Sequence, residues 1–151
     1  MPNKENQIDL ESCLEEIHNK LYKKETGPGK ACSDRAWILY YYLKHHNLEP
    51  EIVRYKRKDA KNIVLFSKYA ENARHHTYEC LFPSHVFVTL NNLVLDSNFK
   101  KPWDKKQYMN ILNEINDNQI YCCKPVNQRF EHFIDIVRKS NLSERFKEIF
   151  K

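Results

Sequence analysis

The chain has 151 residues, 41% of them hydrophobic and 13% aromatic, with 25 basic and 20 acidic side chains and a formal charge of +5. This length fits one domain, residues 1–151, which buries roughly 70% of its unfolded surface and so needs no disulfide or metal staple. The positive excess is small and interspersed, which argues against a nucleic-acid partner, and no apolar run is long enough to span a bilayer.

Ile8, Leu10, Leu14, Ile17, Leu21 and Tyr22 recur at helical spacing and predict an amphipathic helix over about residues 8 to 24. Gly27-Pro28-Gly29, which holds the only two glycines of the protein, breaks it with a tight turn. A helix from Cys32 to His46 follows, apolar or aromatic on most sides through its middle, the pattern of a buried helix. Consecutive Tyr40, Tyr41 and Tyr42 point in different directions on a helix, so they read as core packing and not as a stacking platform. Beyond Pro50, strands are expected at Glu51–Arg57 and Asn62–Tyr69, with an irregular polar stretch from Ala70 to Pro83. The basic run Arg54, Lys56, Arg57, Lys58 and Lys61 reads as a solvated strand end and loop. Strands at His85–Leu90 and Leu93–Phe99 come next, then a helix at Asp104–Ile115 and a strand at Gln119–Val126. Helices at Phe130–Arg138 and Leu142–Phe150 end the chain, the second starting at Ser143. Helices and strands in this order define a single α+β domain.

Cys13, Cys32, Cys80, Cys122 and Cys123 are odd in number and irregular in spacing, which implies free thiols and a reducing compartment. The polar N-terminus lacks the apolar core of a signal peptide, so a cytoplasmic location is expected. His75, His76, Cys80 and His85 offer ligand types that zinc accepts, but their spacing matches no standard zinc pattern. No metal or cofactor is expected.

The informative segment is FPSHVFVTLNNLVLDSNF, residues 82–99. Asparagine tolerates positive φ, so Asn91-Asn92 reads as a two-residue hairpin turn. That register sets Leu90 opposite Leu93, Val88 opposite Leu95 and Val86 opposite Ser97. One face is then wholly apolar: Val86, Val88, Leu90, Leu93 and Leu95. The other carries His85, Phe87, Thr89, Val94, Asp96 and Asn98, with Asp96 diagonal to His85 at roughly 7 Å between backbones. A general-base histidine needs such a carboxylate to fix its tautomer and steady the imidazolium. Cys32 stands at the predicted start of the buried helix, where free N–H groups and the helix dipole favour a thiolate. Cys32, His85 and Asp96 are therefore the candidate catalytic residues: nucleophile, base and orienting acid.

A cysteine heading a central helix, then histidine and aspartate on consecutive strands, resembles the transglutaminase-like branch of the papain superfamily. Within that branch the chain is most similar to the bacterial transglutaminase-like cysteine proteinases. Cys32-Ser33-Asp34-Arg35-Ala36, Leu48-Glu49-Pro50-Glu51-Ile52-Val53, Ser84-His85-Val86-Phe87-Val88 and Leu93-Val94-Leu95-Asp96-Ser97 carry the likeness, over about residues 27 to 100. The resemblance implies a helix bearing Cys32 packed on an antiparallel sheet bearing His85 and Asp96, and a thiol hydrolase acting on a protein or peptide amide. The order Cys–His–Asp also fits amidohydrolases that deamidate N-terminal glutamine, and transamidation differs only in the acceptor. A non-catalytic basic module, binding through Arg54 to Lys61 and Lys68 to His76, is the remaining alternative. The oligomeric state is left open.

Overall fold

The computed structural model describes residues 8–22, 32–66, 77–79 and 83–151. Helix α1, Leu10–Ile17, starts where the Asp9 carboxylate accepts the Ser12 N–H at 3.0 Å and buries Cys13, Leu14 and Ile17 at helical spacing. It runs directly into a π-helical turn, His18–Tyr22. Helix α2, Cys32–His45, is buried along most of its length, as its apolar composition requires. It closes with Asn47 at φ 63° and the Leu48 N–H on the Leu43 carbonyl, a Schellman ending in which asparagine takes the left-handed position.

Strand β1, Glu51–Arg57, has the predicted bounds. The strand expected over 62–69 is only β2, Val64–Phe66, among the described residues, and it pairs with β3, Thr77–Glu79. That short partner corrects the irregular reading of 70–83; His75, His76 and Cys80 lie outside the described residues. Strands β4, Ser84–Leu90, and β5, Leu93–Leu95, form the hairpin in the expected register, Leu90 opposite Leu93 and Val88 opposite Leu95, with Asn91 at φ 55°. The pairing stops there. Asp96, Ser97 and Asn98 leave the sheet, so Val86 does not face Ser97 as the register alone suggested. Strand β6, Trp103–Asp104, leads into helix α3, Lys105–Ile115, whose first turn is capped by the Asp104 carboxylate on the Gln107 N–H. Strand β7, Ile120–Cys123, completes an antiparallel sheet of order β6-β5-β4-β1-β7.

Phe130–Arg138 is helical as expected, a 3-10 turn at Phe130–Phe133 running into α4, Ile134–Arg138, whereas α5 is only Glu144–Lys147, shorter than periodicity suggested. Ser143 stands at the head of α5 but makes no side-chain cap. Its N–H and hydroxyl instead donate to the Glu16 carboxylate of α1, at 2.5 and 2.9 Å.

Two apolar clusters flank the sheet, as alternation along β4 demands. Val86, Val88, Leu90 and Leu95 pack against α1, α2 and the C-terminal helices, whereas Phe87 and Val94 pack against α3 through Tyr108 and Leu112. Tyr42 is buried in the first cluster, and Tyr40 and Tyr41 pack against it. Arg57 departs from the solvated reading of its basic run. It is buried and held by Asp59 at 2.7 Å and Asp117 at 3.3 Å, which neutralise it in place. Beside it the buried Asn116 side chain joins the end of α3 to β2, bonding both the N–H and the carbonyl of Val64.

Candidate active site

Three elements meet at one end of the sheet. Helix α2 brings Cys32 in its first turn, β4 brings His85 near its start, and the end of β5 brings Asp96. His85 and Asp96 are fully buried, and Cys32 is half-buried. The His85 Nε2 lies 2.8 Å from the Asp96 Oδ2. A carboxylate can only accept, so Nε2 carries a proton and the ring's tautomer is set.

Nδ1 is thereby the ring nitrogen left for Cys32. It is buried and makes no hydrogen bond of regular geometry among the described residues. The Cys32 thiol nevertheless lies close enough to share a proton with the ring, and each shifts the other's ionisation. Burial works against a thiolate at Cys32, but the His85 ring, the Val86 backbone N–H and the Arg35 charge outweigh it and lower the thiol's pKa. Burial likewise works against an imidazolium at His85, yet the Asp96 charge and hydrogen bond, with Cys32 behind them, raise its pKa to about 10. Asp96 is held below the usual carboxylate range. Its burial cost is outweighed by His85, by the Tyr108 hydroxyl donating to Oδ2 at 2.6 Å, and by the Asn98 N–H donating to Oδ1 at 3.0 Å.

Each of the three shifts favours the charged form: a thiolate at Cys32, an imidazolium at His85 and a carboxylate at Asp96. Such a thiolate is nucleophilic without a separate deprotonation step. Backbone N–H groups in the first turn of a helix have no partner within the helix and can receive negative charge developing on a carbonyl oxygen.

Several contributors escaped the sequence reading. Tyr108 of α3 orients Asp96 from the far side of the sheet, and its ring packs edge-on to Phe87, with centroids 5.0 Å apart. Its place in the apolar period of α3 marked it only as core. Arg35 is buried one helical turn after Cys32 and donates to the Ser97 hydroxyl at 2.8 Å and the Asn98 side-chain carbonyl at 3.1 Å. His18 of the π-helical turn donates from Nδ1 to the Ser97 carbonyl at 2.9 Å. A charged residue inside the apolar run of α2 was the one available signal for Arg35. Tyr55 stands opposite His85 on β1 and stacks on Phe87, so it walls the imidazole on that side. Trp103 contacts the Phe99 and Tyr108 rings. The four described cysteines are free thiols, and no group of side chains able to hold a metal ion occurs among the described residues.

Tyr108→Phe removes one hydrogen bond to a buried carboxylate and is expected to cost about 1–3 kcal/mol. The hydroxyl contributes to the depression of the Asp96 pKa, and a depressed carboxylate adds stability that is lost as pH falls through its folded value. Acid unfolding of Tyr108→Phe should therefore begin at a higher pH than in the wild type. Circular dichroism during acid titration tests this, and identical acid midpoints would remove Tyr108 from the site.

No protein-family model, curated protein or solved structure matches the chain, so the functional reading rests on this geometry alone.

Proposed function

We propose that the protein is a cysteine-dependent hydrolase of protein or peptide amides, with Cys32 as nucleophile, His85 as general acid and base, and Asp96 as its orienting carboxylate. One observation carries the reading: Nε2 of a buried imidazole is committed to Asp96, which leaves Nδ1 to a half-buried thiol at a helix start. A helix headed by that cysteine, packed on an antiparallel sheet that carries histidine and then aspartate, supports a papain/transglutaminase-like assignment. Free thiols at Cys13, Cys32, Cys122 and Cys123 fit a reducing, cytoplasmic setting.

In the first half-reaction the Cys32 sulfur adds to the amide carbon, and the oxyanion is met by N–H groups of the first turn of α2. The C–N bond then breaks as His85 Nδ1–H gives its proton to the departing amine, leaving a thioester. In the second half, Nδ1 takes a proton from water, the hydroxide adds to the thioester carbon and the C–S bond breaks, which restores the thiolate and imidazolium. An amine in place of that water gives transamidation by the same steps.

The test is release of amine or ammonia from casein and from glutamine-containing peptides, with mass spectrometry of the enzyme for an acyl adduct. Turnover should vanish in Cys32→Ser and persist in Cys122→Ser, with the adduct on the Cys32 peptide. Turnover that survives in Cys32→Ser would sink the assignment.

A further inference from the structure

The end of β4 raises a question of strand pairing. In a two-residue hairpin the closing pair exchanges backbone hydrogen bonds, and every second residue then points its N–H toward the same neighbour. Leu90 closes the turn with Leu93, so Val88 and Val86 also face the β5 side. Simple continuation would pair Val86 with Ser97, zip the hairpin to its end and spend the Val86 N–H on the Ser97 carbonyl.

The structure does something else. The Phe99 N–H folds back on the Asp96 carbonyl at 2.9 Å and the Asn98 N–H on the Asp96 carboxylate at 3.0 Å, a local turn beginning at Asp96. The Ser97 carbonyl is occupied by His18 Nδ1 at 2.9 Å. The Ser97 hydroxyl and the Asn98 side-chain carbonyl are occupied by the two-pronged Arg35 guanidinium, at 2.8 and 3.1 Å. All four of these side chains are buried. The Val86 N–H, released from strand pairing, is directed at the Cys32 sulfur.

We propose that His18 and Arg35 are positioning residues that hold the turn at Asp96–Asn98 off β4, so that Cys32 and not Ser97 occupies the place beside Val86. The inference rests on the proposed function, since it concerns how the same thiolate is assembled. Its chemistry is plain. A peeled strand end leaves buried polar groups on both sides, and each must find a new partner. His18 and Arg35 supply partners for the Ser97–Asn98 side, and the Cys32 sulfur supplies one for the Val86 side. Arg35 lies one turn from Cys32 on the same helix, so the clamp that holds the turn also fixes the sulfur relative to His85 and Asp96. The local turn at Asp96 bends the chain, and the two side chains determine where it goes.

The experiment is alkylation of the full chain by iodoacetamide at pH 6.5, with the Cys32 and Cys122 peptides quantified together by mass spectrometry. Exposed Cys122 serves as the internal reference, and thermal unfolding is followed in parallel. Arg35→Lys keeps a charge but loses the fork, and His18→Leu loses the donor. Each should lower the Cys32-to-Cys122 rate ratio about tenfold by withdrawing support from the thiolate. His18→Asn keeps an N–H donor where Nδ1 stands and should leave the ratio at the wild-type value. Ser97→Ala removes one acceptor with little change of volume. It should lower the ratio about threefold and decides the matter if the larger changes prevent folding.

Variants that melt earlier but keep the wild-type ratio would mean that His18 and Arg35 only pack, overturning this inference while the thiolate reading stands. A wild-type Cys32 that reacts no faster than Cys122 would overturn both.

Discussion

Replacing His85 with alanine should slow alkylation of Cys32 at pH 6 by about 10- to 100-fold. An ordinary thiol with a pKa of about 8.5 is well under 1% ionised at that pH. The structure depresses the Cys32 pKa, and the His85 ring is the largest stabilising influence on the thiolate. Without it burial dominates, because a half-buried sulfur surrounded by protein holds charge poorly. Lower basicity makes an ionised thiol intrinsically less nucleophilic, which returns part of the gain and sets the modest lower end of the range. The pH profile carries a second signature. The pair exists from the depressed Cys32 pKa upward until His85 loses its proton, at about 10. Across that interval the Cys32 rate should change little, whereas an ordinary cysteine thiol reacts faster as pH rises toward its pKa of about 8.5. A Cys32 profile that rises like that of an ordinary thiol, or an unchanged Cys32 rate in His85→Ala, would leave the proposed hydrolase without its ion pair.

Asp96→Asn should produce the largest pH-dependent loss of stability. Two linkages act, with opposite pH limits. The Asp96 pKa is lowered on folding, so its contribution is present above the unfolded value of about 3.9 and is lost as pH falls through the folded value. The His85 pKa is raised on folding to about 10, so its contribution is complete below the unfolded value and is lost as pH rises through the folded one. The pair therefore stabilises most between about pH 4 and 6.5, the interval between the two unfolded values. In that interval the variant should be less stable by about 3 kcal/mol, the usual penalty for stripping one partner from a buried charged pair. The difference should shrink toward pH 10. Cys32 adds a contribution with the same pH sense as Asp96, complete above its unfolded pKa and lost as pH falls through its depressed folded value. Making both measurements in a Cys32→Ser background removes it. Urea unfolding at pH 3, 5.5 and 10 provides the comparison, and a pH-independent difference would mean that Asp96 serves the strand end and not the imidazole.

These two effects differ in kind because the residues are held differently. His85 lies inside a paired strand, between Tyr55 across the ladder and Phe87 along it, and its position follows from the sheet. Asp96 lies just past the end of its strand and depends on three groups for its orientation: His85, Tyr108 and the Asn98 N–H. The asparagine amide keeps one oxygen in place of two, so it cannot serve His85 and Tyr108 at Oδ2 and the Asn98 N–H at Oδ1 together, which adds to the cost.

Much of this arrangement was legible in the sequence, and for local reasons. The period-2 pattern around Asn91-Asn92 determined the hairpin register, and with it which residues face α2 and which face α3. That register also pointed to the approach of Asp96 to His85, although Asp96 itself stands one residue past the paired strand. The 3.6-residue period of α1 and the nearly continuous apolar run of α2 likewise determined two helices and the burial of the second, with Cys32 at its start. Covalent geometry and side-chain alternation act over a few residues, so a single sequence carries them in full.

Only the tertiary structure decided where the strands stop and what holds their ends. A strand was expected to run on to Phe99, yet β5 ends at Leu95 because Ser97 and Asn98 find better partners in His18 and Arg35, residues distant in the chain. Arg57 is buried because Asp59, Asn116 and Asp117 converge on it from the β1–β2 connection and the end of α3. Tyr108 joins the site because packing brings its hydroxyl to Asp96. A buried polar group must be paired, but its sequence context does not say with whom. That choice is made by the packing of helices on both faces of the sheet, a long-range property that no short stretch of residues encodes.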